Sequence, residues 1–395
     1  MNVGIWIRPG YTPQTGGGYS YYQTLIESFI SKNGLRSDIS YCFISPETKP
    51  SSHANNTVYL GLIPRLFIHN IFLQKLFFLV NVRLLSFVWK KRIKESKISL
   101  IYYINPDDLK IPIIPFITTL WDLGYYVTYP FPELISGNNF NGRKKMIEKE
   151  LKKALMVFSE SETGKKDLVK YANVWEGKIR VVPMFPGDVA NLNLPHERQK
   201  EILNSFKLNS YEYFFYPAQY WAHKNHKTVL KAFSLYIKQN PSCILVLTGA
   251  DKGNKDYVVN LCEELAIKKN VIVGGFVSLE ELYTLYTNAL ATIMASFFGP
   301  TNMPPIEAMH LSCPVICSDI EGHREILGDA GLYFDALNFN ALLNQMIKIA
   351  LERDVYVERI KHRIQTTKFT KENALACIDK YMLEAESIRA QWKQI

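Results

Sequence analysis

The stretch Ser296–Asp319, SFFGPTNMPPIEAMHLSCPVICSD, sets a Gly-Pro-Thr-Asn turn against a proline pair, an apolar helix and a β-branched run, PVICS. Proline fits the first turn of a helix because its missing N–H has no intrahelical partner to lose there. The run before the turn, ATIMAS (Ala291–Ser296), reads as a strand, so the unit is strand, loop, helix, strand. That is the repeat of a parallel sheet covered by helices. Amides near Asn302 and Met303, at the helix start, are unpaired in the helix and suit an anion such as a diphosphate. Glu307, one turn further in, projects a carboxylate towards the same place, where it could accept two hydrogen bonds from a ribose diol.

The same alternation extends over most of the chain. In the second half YFFYPA, CILVLTG, VIVGGFV, ATIMAS, PVICSD and GLYFD read as strands, with helices over Lys227–Gln239, Lys255–Lys268 and Leu279–Asn288. In the first half VGIWI, SYCFIS, LIYYI, IPFITTL, LMVFSES and KIRVVP read as strands, with helices over Tyr21–Lys32 and about Arg143–Lys153. Between the halves, MFPGDVANLNLPHERQ is rich in turn formers and poor in periodicity, as a linker is. The fold class is therefore α/β, with two doubly wound, Rossmann-like parallel-sheet domains facing a cleft. Their expected extents are residues 1–190 and 191–370, with an amphipathic helix over 371–395 packing back on the first domain. Ligands of such sheets bind at the C-terminal strand ends.

Bulk properties narrow the function. At 395 residues the chain exceeds one compact core. A net charge of +9 suits an acidic ligand or an anionic surface, and no nucleic-acid-binding motif accompanies it. Six scattered cysteines match no common zinc spacing and fit a reduced, cytoplasmic protein. The N-terminus, MNVGIWIRPG, reads as a strand and not as a signal segment. Residues 59–89 are apolar but interrupted too often for a membrane span. From Arg65 to Leu100, eight Lys or Arg stand against one acid, interleaved with aromatics. Two readings follow: peripheral contact with the inner face of the cytoplasmic membrane through residues 65–97, or a core helix with a lysine-solvated face.

Several chemistries find no support. The run GGGYSY (Gly16–Tyr21) lacks the third glycine of the dinucleotide fingerprint and starts nine residues after its strand. It can still be an anion cradle before a helix, or a surface turn. There is no Walker loop, no G-x-S-x-G elbow, no D-x-D and no helical histidine pair, and Asp107-Asp108 reads as a turn. No metal or other cofactor is expected.

The turn with EAM…CPVICSD and HREILGDAGLYFD resembles the family 4 retaining glycosyltransferases of GT-B fold. YFFYPAQYWAHKNHKTVLKAF, LTGADKGN, VIVGGFVSLEELYTLYTNA and LMVFSESETGKKDLVKY follow that family's order, and LWDLGYYVTYPFPE is similar to its O-antigen and capsule branch. The resemblance implies a nucleoside-diphosphate sugar donor, with GDP-mannose as first choice, and a glycan or undecaprenyl-linked glycan acceptor. It implies that Glu307 holds the ribose, Lys224 neutralises the diphosphate, Phe276 and Val277 hold the base by their backbone, and Gly16, Gly17 and Gly18 close on the phosphates. Asp122 becomes the acceptor-side polar group. The turn supplies Gly299, Thr301, Asn302 and Met303, with Asn302 able to contact the sugar.

Three positions depart from the pattern. Gly299 stands where the first signature acid should be, Gln219 where an arginine often precedes the lysine, and Trp121 where a histidine precedes the aspartate. A nucleotide-sugar epimerase or phosphorylase of the same fold, or a non-catalytic nucleotide-sugar-binding scaffold, are the alternatives. His223 and His226 are either phosphate donors or idle exposed turn residues, His310 is expected to pack, and Glu325 either borders the donor site or caps its own helix.

Overall fold

The computed structural model describes residues 1–8, 11–12, 17–31, 35, 39–47, 57–63, 91–106, 114–136 and 139–391. Gly16, residues 65–90 of the basic segment, and Asp107-Asp108 lie outside the described residues.

Two sheets form, all of whose pairings are parallel. The first contains β1 (Asn2–Trp6), β2 (Ser40–Glu47), β3 (Thr57–Ile63), β4 (Leu100–Tyr103), β5 (Phe116–Leu120), β6 (Met156–Ser159) and β7 (Ile179–Val181), in the order β3-β2-β1-β4-β5-β6-β7. The second contains β8 (Tyr213–Pro217), β9 (Ile244–Thr248), β10 (Val271–Val273), β11 (Ala291–Met294), β12 (Val315–Ser318) and β13 (Gly331–Phe334), in the order β10-β9-β8-β11-β12-β13. Strand order reverses beside β1 in the first sheet and beside β8 in the second, so each sheet has a switch point where a crevice opens. The central strands VICS, ILVLT and FITTL are mostly apolar, with small hydroxyl residues as the exceptions, because both faces of each strand are covered.

Four elements show how the structure departs from the sequence reading. Edge strand β3 occupies residues expected to begin the greasy segment. A helix spans His196–Phe206, starting in the last four residues of the expected linker, and ties to the rest of the second domain by Arg198–Glu280 and by the Asn288 amide donating to Gln199. The helix expected from Tyr21 starts at Gly17. A 28-residue helix, Phe339–Thr366, kinked at Glu352, follows β13.

The last helix, Lys371–Arg389, is capped by the Thr370 hydroxyl, which accepts from the Asn373 amide. It lies against the first sheet. Arg180 pairs with Glu384, Tyr41 donates to Asp379, and Arg389 donates to the Ser99 carbonyl. Among the described residues no helix is long and apolar enough to cross a membrane, and no group of His, Cys, Asp and Glu could hold a metal ion.

Candidate functional site

A cavity of about 400 Å³ lies between the domains at the C-terminal ends of β8, β9 and β10. Of the residues singled out in the sequence, Gly17, Gln219, Phe276, Val277, Met303 and Glu307 line it. Gly18, Gly299, Thr301, Asn302, Lys224 and Asp122 lie outside its lining.

The helix Met303–His310 starts at the cavity with proline in its first turn, and Asn302 at its N-cap makes no side-chain cap. The first-turn amides are thus open towards the cavity mouth. Glu307 is 8% exposed; one of its oxygens accepts a hydrogen bond from the Tyr286 hydroxyl at 2.8 Å. Burial pushes its carboxyl up to about 7, with the Tyr286 hydroxyl and the Gly187 amide pulling the other way. At neutral pH this carboxylate is therefore poised between its two forms, unlike an exposed glutamate. Phe276, on the cavity wall, is 64% exposed and offers a flat ring face to the cavity.

Lys224 sits deeper, behind the Gly-Pro-Thr-Asn turn. Its ammonium donates to the Asn302 side-chain oxygen at 2.8 Å, and the Asn302 nitrogen lies 3.0 Å from His323 Nε2. His323 Nδ1 is in turn 2.8 Å from the Ser318 carbonyl, which fixes it as the donor there. Burial pushes the Lys224 ammonium down to about 8 and the His323 ring down to about 4. Asn302 is therefore already committed as the bridge between a lysine and a neutral histidine. Its expected role as a free sugar contact is not what this geometry displays.

Gly299 explains its own departure from the acidic pattern. Its φ is +129°, and a Cβ there would lie 2.7 Å from the Asn302 side-chain nitrogen and 2.8 Å from the Thr301 carbonyl oxygen. The turn that presents Asn302 to Lys224 leaves no room for a side chain at 299. The glycines before the first helix are also steric. A Cβ on Gly17 would lie 3.1 Å from Met303, and one on Gly18 would lie 2.9 Å from both the Trp121 ring and the Tyr11 hydroxyl. The N-terminus of the first domain's first helix thus comes close to Met303 of the second domain at Gly17, and to Trp121 and Tyr11 of its own domain at Gly18.

His223 and His226 are neither exposed nor idle, at 8% and 1% exposure. His223 bridges the domains: its ring nitrogen lies 2.5 Å and its amide 2.9 Å from the Glu133 carboxylate. Burial pushes the His223 ring down to about 4, so it is neutral and donates to Glu133. His226 is packed between Tyr216 and Tyr220, ring centroids 5.0 Å from each. His310 packs as expected, bonded to the Phe369 carbonyl at 2.9 Å. Glu325 caps a helix of the other domain, not its own. It accepts from the Glu162 amide, the Thr163 amide and the Thr163 hydroxyl at 2.7–2.8 Å, and pairs with Lys368 at 2.8 Å.

Thr301 turns away from the cavity, its hydroxyl donating to the Met184 sulfur at 3.4 Å. It also lies against Glu160, which is 2% exposed and has one carboxylate oxygen without a partner among the described residues. Asp122 follows β5; it accepts from the Gly124 amide at 2.9 Å and lies 3.9 Å from Arg143. Glu133, Glu160 and Tyr286 lie inside the quoted motifs and Gly187 and Asp188 in the expected linker, but nothing local singles out any of the five. Their roles arise from contacts between distant segments.

Residues 198–366 match the family Glycosyl transferases group 1 and form a domain of that family. The match lies in the second domain and spans less than half of the chain; it gives that domain a glycosyltransferase character, within a two-sheet GT-B architecture. More particularly, the chain is 24% identical over 260 residues to O-antigen chain mannosyltransferase B of Escherichia coli, covering 65% of this chain and 67% of the relative. It is 29% identical over 191 residues to O-antigen chain mannosyltransferase RfbU of Salmonella typhimurium, covering 48% of this chain and 49% of that relative. The second match thus spans about half the length of the relative. The fold superposes on sucrose-phosphate synthase from Thermosynechococcus elongatus with a TM-score of 0.73 at 17% identity, over 98% of this chain and 99% of that one.

Proposed function

We propose that the chain transfers a hexosyl group, mannose first among the candidates, from a nucleoside-diphosphate sugar to a lipid-linked or polysaccharide glycan of a surface polysaccharide. The observation that carries this reading is Glu307: a buried carboxylate inside a 400 Å³ cavity, beside an exposed phenylalanine and the open N-terminus of a helix. A nucleoside needs a flat wall for its base and an acceptor for its ribose hydroxyls, and a diphosphate needs unpaired amides and a cation. The mannose assignment is supported by the two O-antigen mannosyltransferase relatives.

On this reading the ribose hydroxyls donate to Glu307, whose Tyr286 bond holds the carboxylate in place. The diphosphate meets the amides at Asn302 and Met303. Lys224, released from Asn302 or bridging to it, stabilises the charge that develops on the leaving phosphate. The C1–O bond of the sugar breaks while the acceptor oxygen bonds to C1 from the same face, and the acceptor proton passes to the departing phosphate oxygen. The anomeric configuration is then retained. No protein nucleophile and no divalent cation take part in this scheme. The closed interface, with His223 bonded to Glu133 and Glu325 bonded to the helix Glu162–Ala172, keeps water from the sugar.

The direct test incubates the protein with GDP-mannose, UDP-glucose, UDP-galactose and dTDP-rhamnose in excess EDTA, and follows release of the nucleoside diphosphate with and without a glycolipid extract. Acceptor-dependent release from GDP-mannose is expected. Tight nucleotide binding with no release from any donor would replace transfer by the non-catalytic scaffold.

A further inference from the structure

Three side chains from separate segments meet behind the Gly-Pro-Thr-Asn turn: Lys224 after β8, Asn302 at the start of the helix Met303–His310, and His323 in the helix Glu321–Leu327. Their bonds fix one another. An ammonium has only N–H groups to offer, so the Asn302 atom 2.8 Å from Lys224 Nζ is the amide oxygen. The amide nitrogen therefore faces His323 Nε2, 3.0 Å away, which must accept. The imidazole proton then sits on Nδ1 and is donated to the Ser318 carbonyl at 2.8 Å. Turning the amide over would set its N–H groups against the ammonium and demand a proton on Nε2, leaving a bare Nδ1 against the Ser318 carbonyl. A doubly protonated ring is disfavoured by burial, since His323 is 0% exposed and has the Lys224 charge beside it.

Backbone holds the ring in place. Ser318 ends β12, and its hydroxyl donates to the Ser296 carbonyl at 2.5 Å. A Cβ on Gly322 would run into the carbonyls of Pro300 and Gly299, so the helix start that carries His323 lies directly on the turn. Asn302, by contrast, makes no side-chain cap to its own helix, and its amide reaches the Phe298 carbonyl only at 3.4 Å. Its orientation is therefore set by Lys224 and His323. A lysine ammonium on its flexible four-carbon stem has no fixed place of its own, and the Asn302 oxygen supplies one. A leucine at position 323 would fill similar space without accepting, and nothing would then choose between the two orientations of the amide.

We propose that His323 is a positioning residue for the donor's diphosphate: its unprotonated Nε2 locks the Asn302 amide, and the locked amide oxygen places the Lys224 ammonium. This rests on the transferase reading above and adds a residue that acts on that site through two others, from behind the cavity lining. Besides Asn302 and His323, the groups facing Lys224 are the carboxylates of Asp122 and Glu133 and the rings of His223 and His226, while Asp319 faces His323. Burial keeps all three rings neutral above pH 7, so none of them changes charge while the lysine titrates.

Calorimetric titration of the full chain with the mono- and diphosphates of guanosine, uridine, thymidine and adenosine, between pH 7 and 9.5, tests this. The ratio of the two affinities isolates the outer phosphate, because contacts to base and ribose, Glu307 included, are common to both. At pH 7 the preference for the diphosphate should fall about tenfold in Lys224→Met and about threefold or more in His323→Leu. It should return to within about twofold of the wild type in His323→Gln, whose amide oxygen accepts in place of Nε2. In the wild type the preference should decline as pH passes about 8. In His323→Leu that decline should come about one pH unit earlier, because the ammonium has lost a held acceptor. Nitrogen-15 spectra of histidine-labelled wild type, assigned with His323→Gln, should show a neutral Nδ1–H ring over the whole range, a result that stands whether or not His323→Leu folds. A proton on Nε2, equal losses of mono- and diphosphate affinity in His323→Leu, or no recovery in His323→Gln would overturn the proposal. If the preference falls in Lys224→Met but is intact in His323→Leu, only this inference fails; if no nucleotide binds the wild type, the transferase reading fails with it.

Discussion

Replacing Lys224 by methionine separates what the lysine does for folding from what it does for the diphosphate. Burial pushes its ammonium down to about 8 from an ordinary value of 10.5. The unfolded chain thus binds a proton more readily than the native protein, and stability rises with pH between those two values. Each pKa unit is worth about 1.4 kcal/mol, so the charged lysine costs the nucleotide-free protein about 3 kcal/mol at pH 7. By pH 9.5 that cost has fallen by about 2 kcal/mol, and by somewhat less where water reaches part of the side chain. Lys224→Met retains the aliphatic bulk, removes the charge, and leaves the Asn302 oxygen without its donor, a loss of about 1 kcal/mol. The measurement is urea unfolding of both proteins at pH 7 and pH 9.5. Groups common to the two cancel in the difference. The stability of the wild type relative to Lys224→Met should rise by 1–2 kcal/mol over that range, while turnover of the variant falls about 10²–10³-fold for want of one preorganised charge. A stability difference that is flat with pH, or a variant with near-normal turnover, would refute the reasoning.

Glu307 carries the opposite dependence. Its carboxyl is pushed up to about 7, so the native protein holds a proton there that the unfolded chain releases above about 4.5, and ionisation weakens the fold as pH passes from there to 7. Nucleoside diphosphate should therefore bind more tightly as pH rises from 6 to 8, and Glu307→Gln should bind about tenfold more weakly with that dependence gone. Gly299→Ala should lose roughly 1–3 kcal/mol of stability, since φ is +129° and the new methyl meets Asn302; its turnover should fall with the displacement of Asn302. Glu325→Ala removes an acceptor for three donors at the start of the helix Glu162–Ala172. The apparent donor KM should rise about tenfold as the closed interface loosens, with X-ray scattering showing a larger radius in the presence of nucleotide.

The sheets were legible because each central strand is buried on both faces and mostly apolar, and because proline and glycine punctuate the turns between them. The position of Glu307 was legible for a related reason: proline pairs mark a helix start, and one turn inward fixes the side chain's direction. What could not be read is everything set by contact between distant segments. Lys224 and Asn302 are 78 residues apart, and Glu325 caps a helix start 162–163 residues away. Nothing local distinguishes a lysine that will be buried from one that will not, so its bond to Asn302 stayed hidden. The early helix start at Gly17 was missed because glycine is a poor helix former, and only the approach of Gly17 to Met303 and of Gly18 to Trp121 shows why glycines stand there. Strand β3 was missed because its apolar run continues into a longer greasy segment with no break to mark the edge.

The central claim is that the cavity at the C-terminal ends of β8, β9 and β10 holds a nucleoside diphosphate through Glu307. Titrating GDP, UDP, dTDP and ADP into the wild type and into Glu307→Gln, in EDTA, measures it most directly. One of the four should bind the wild type without added metal, and a concentration 100 times its dissociation constant should add about 2.7 kcal/mol to native stability. The same nucleotide should lose about tenfold in affinity for Glu307→Gln. Binding of none of them to the wild type, or equal binding to both proteins, would contradict the account.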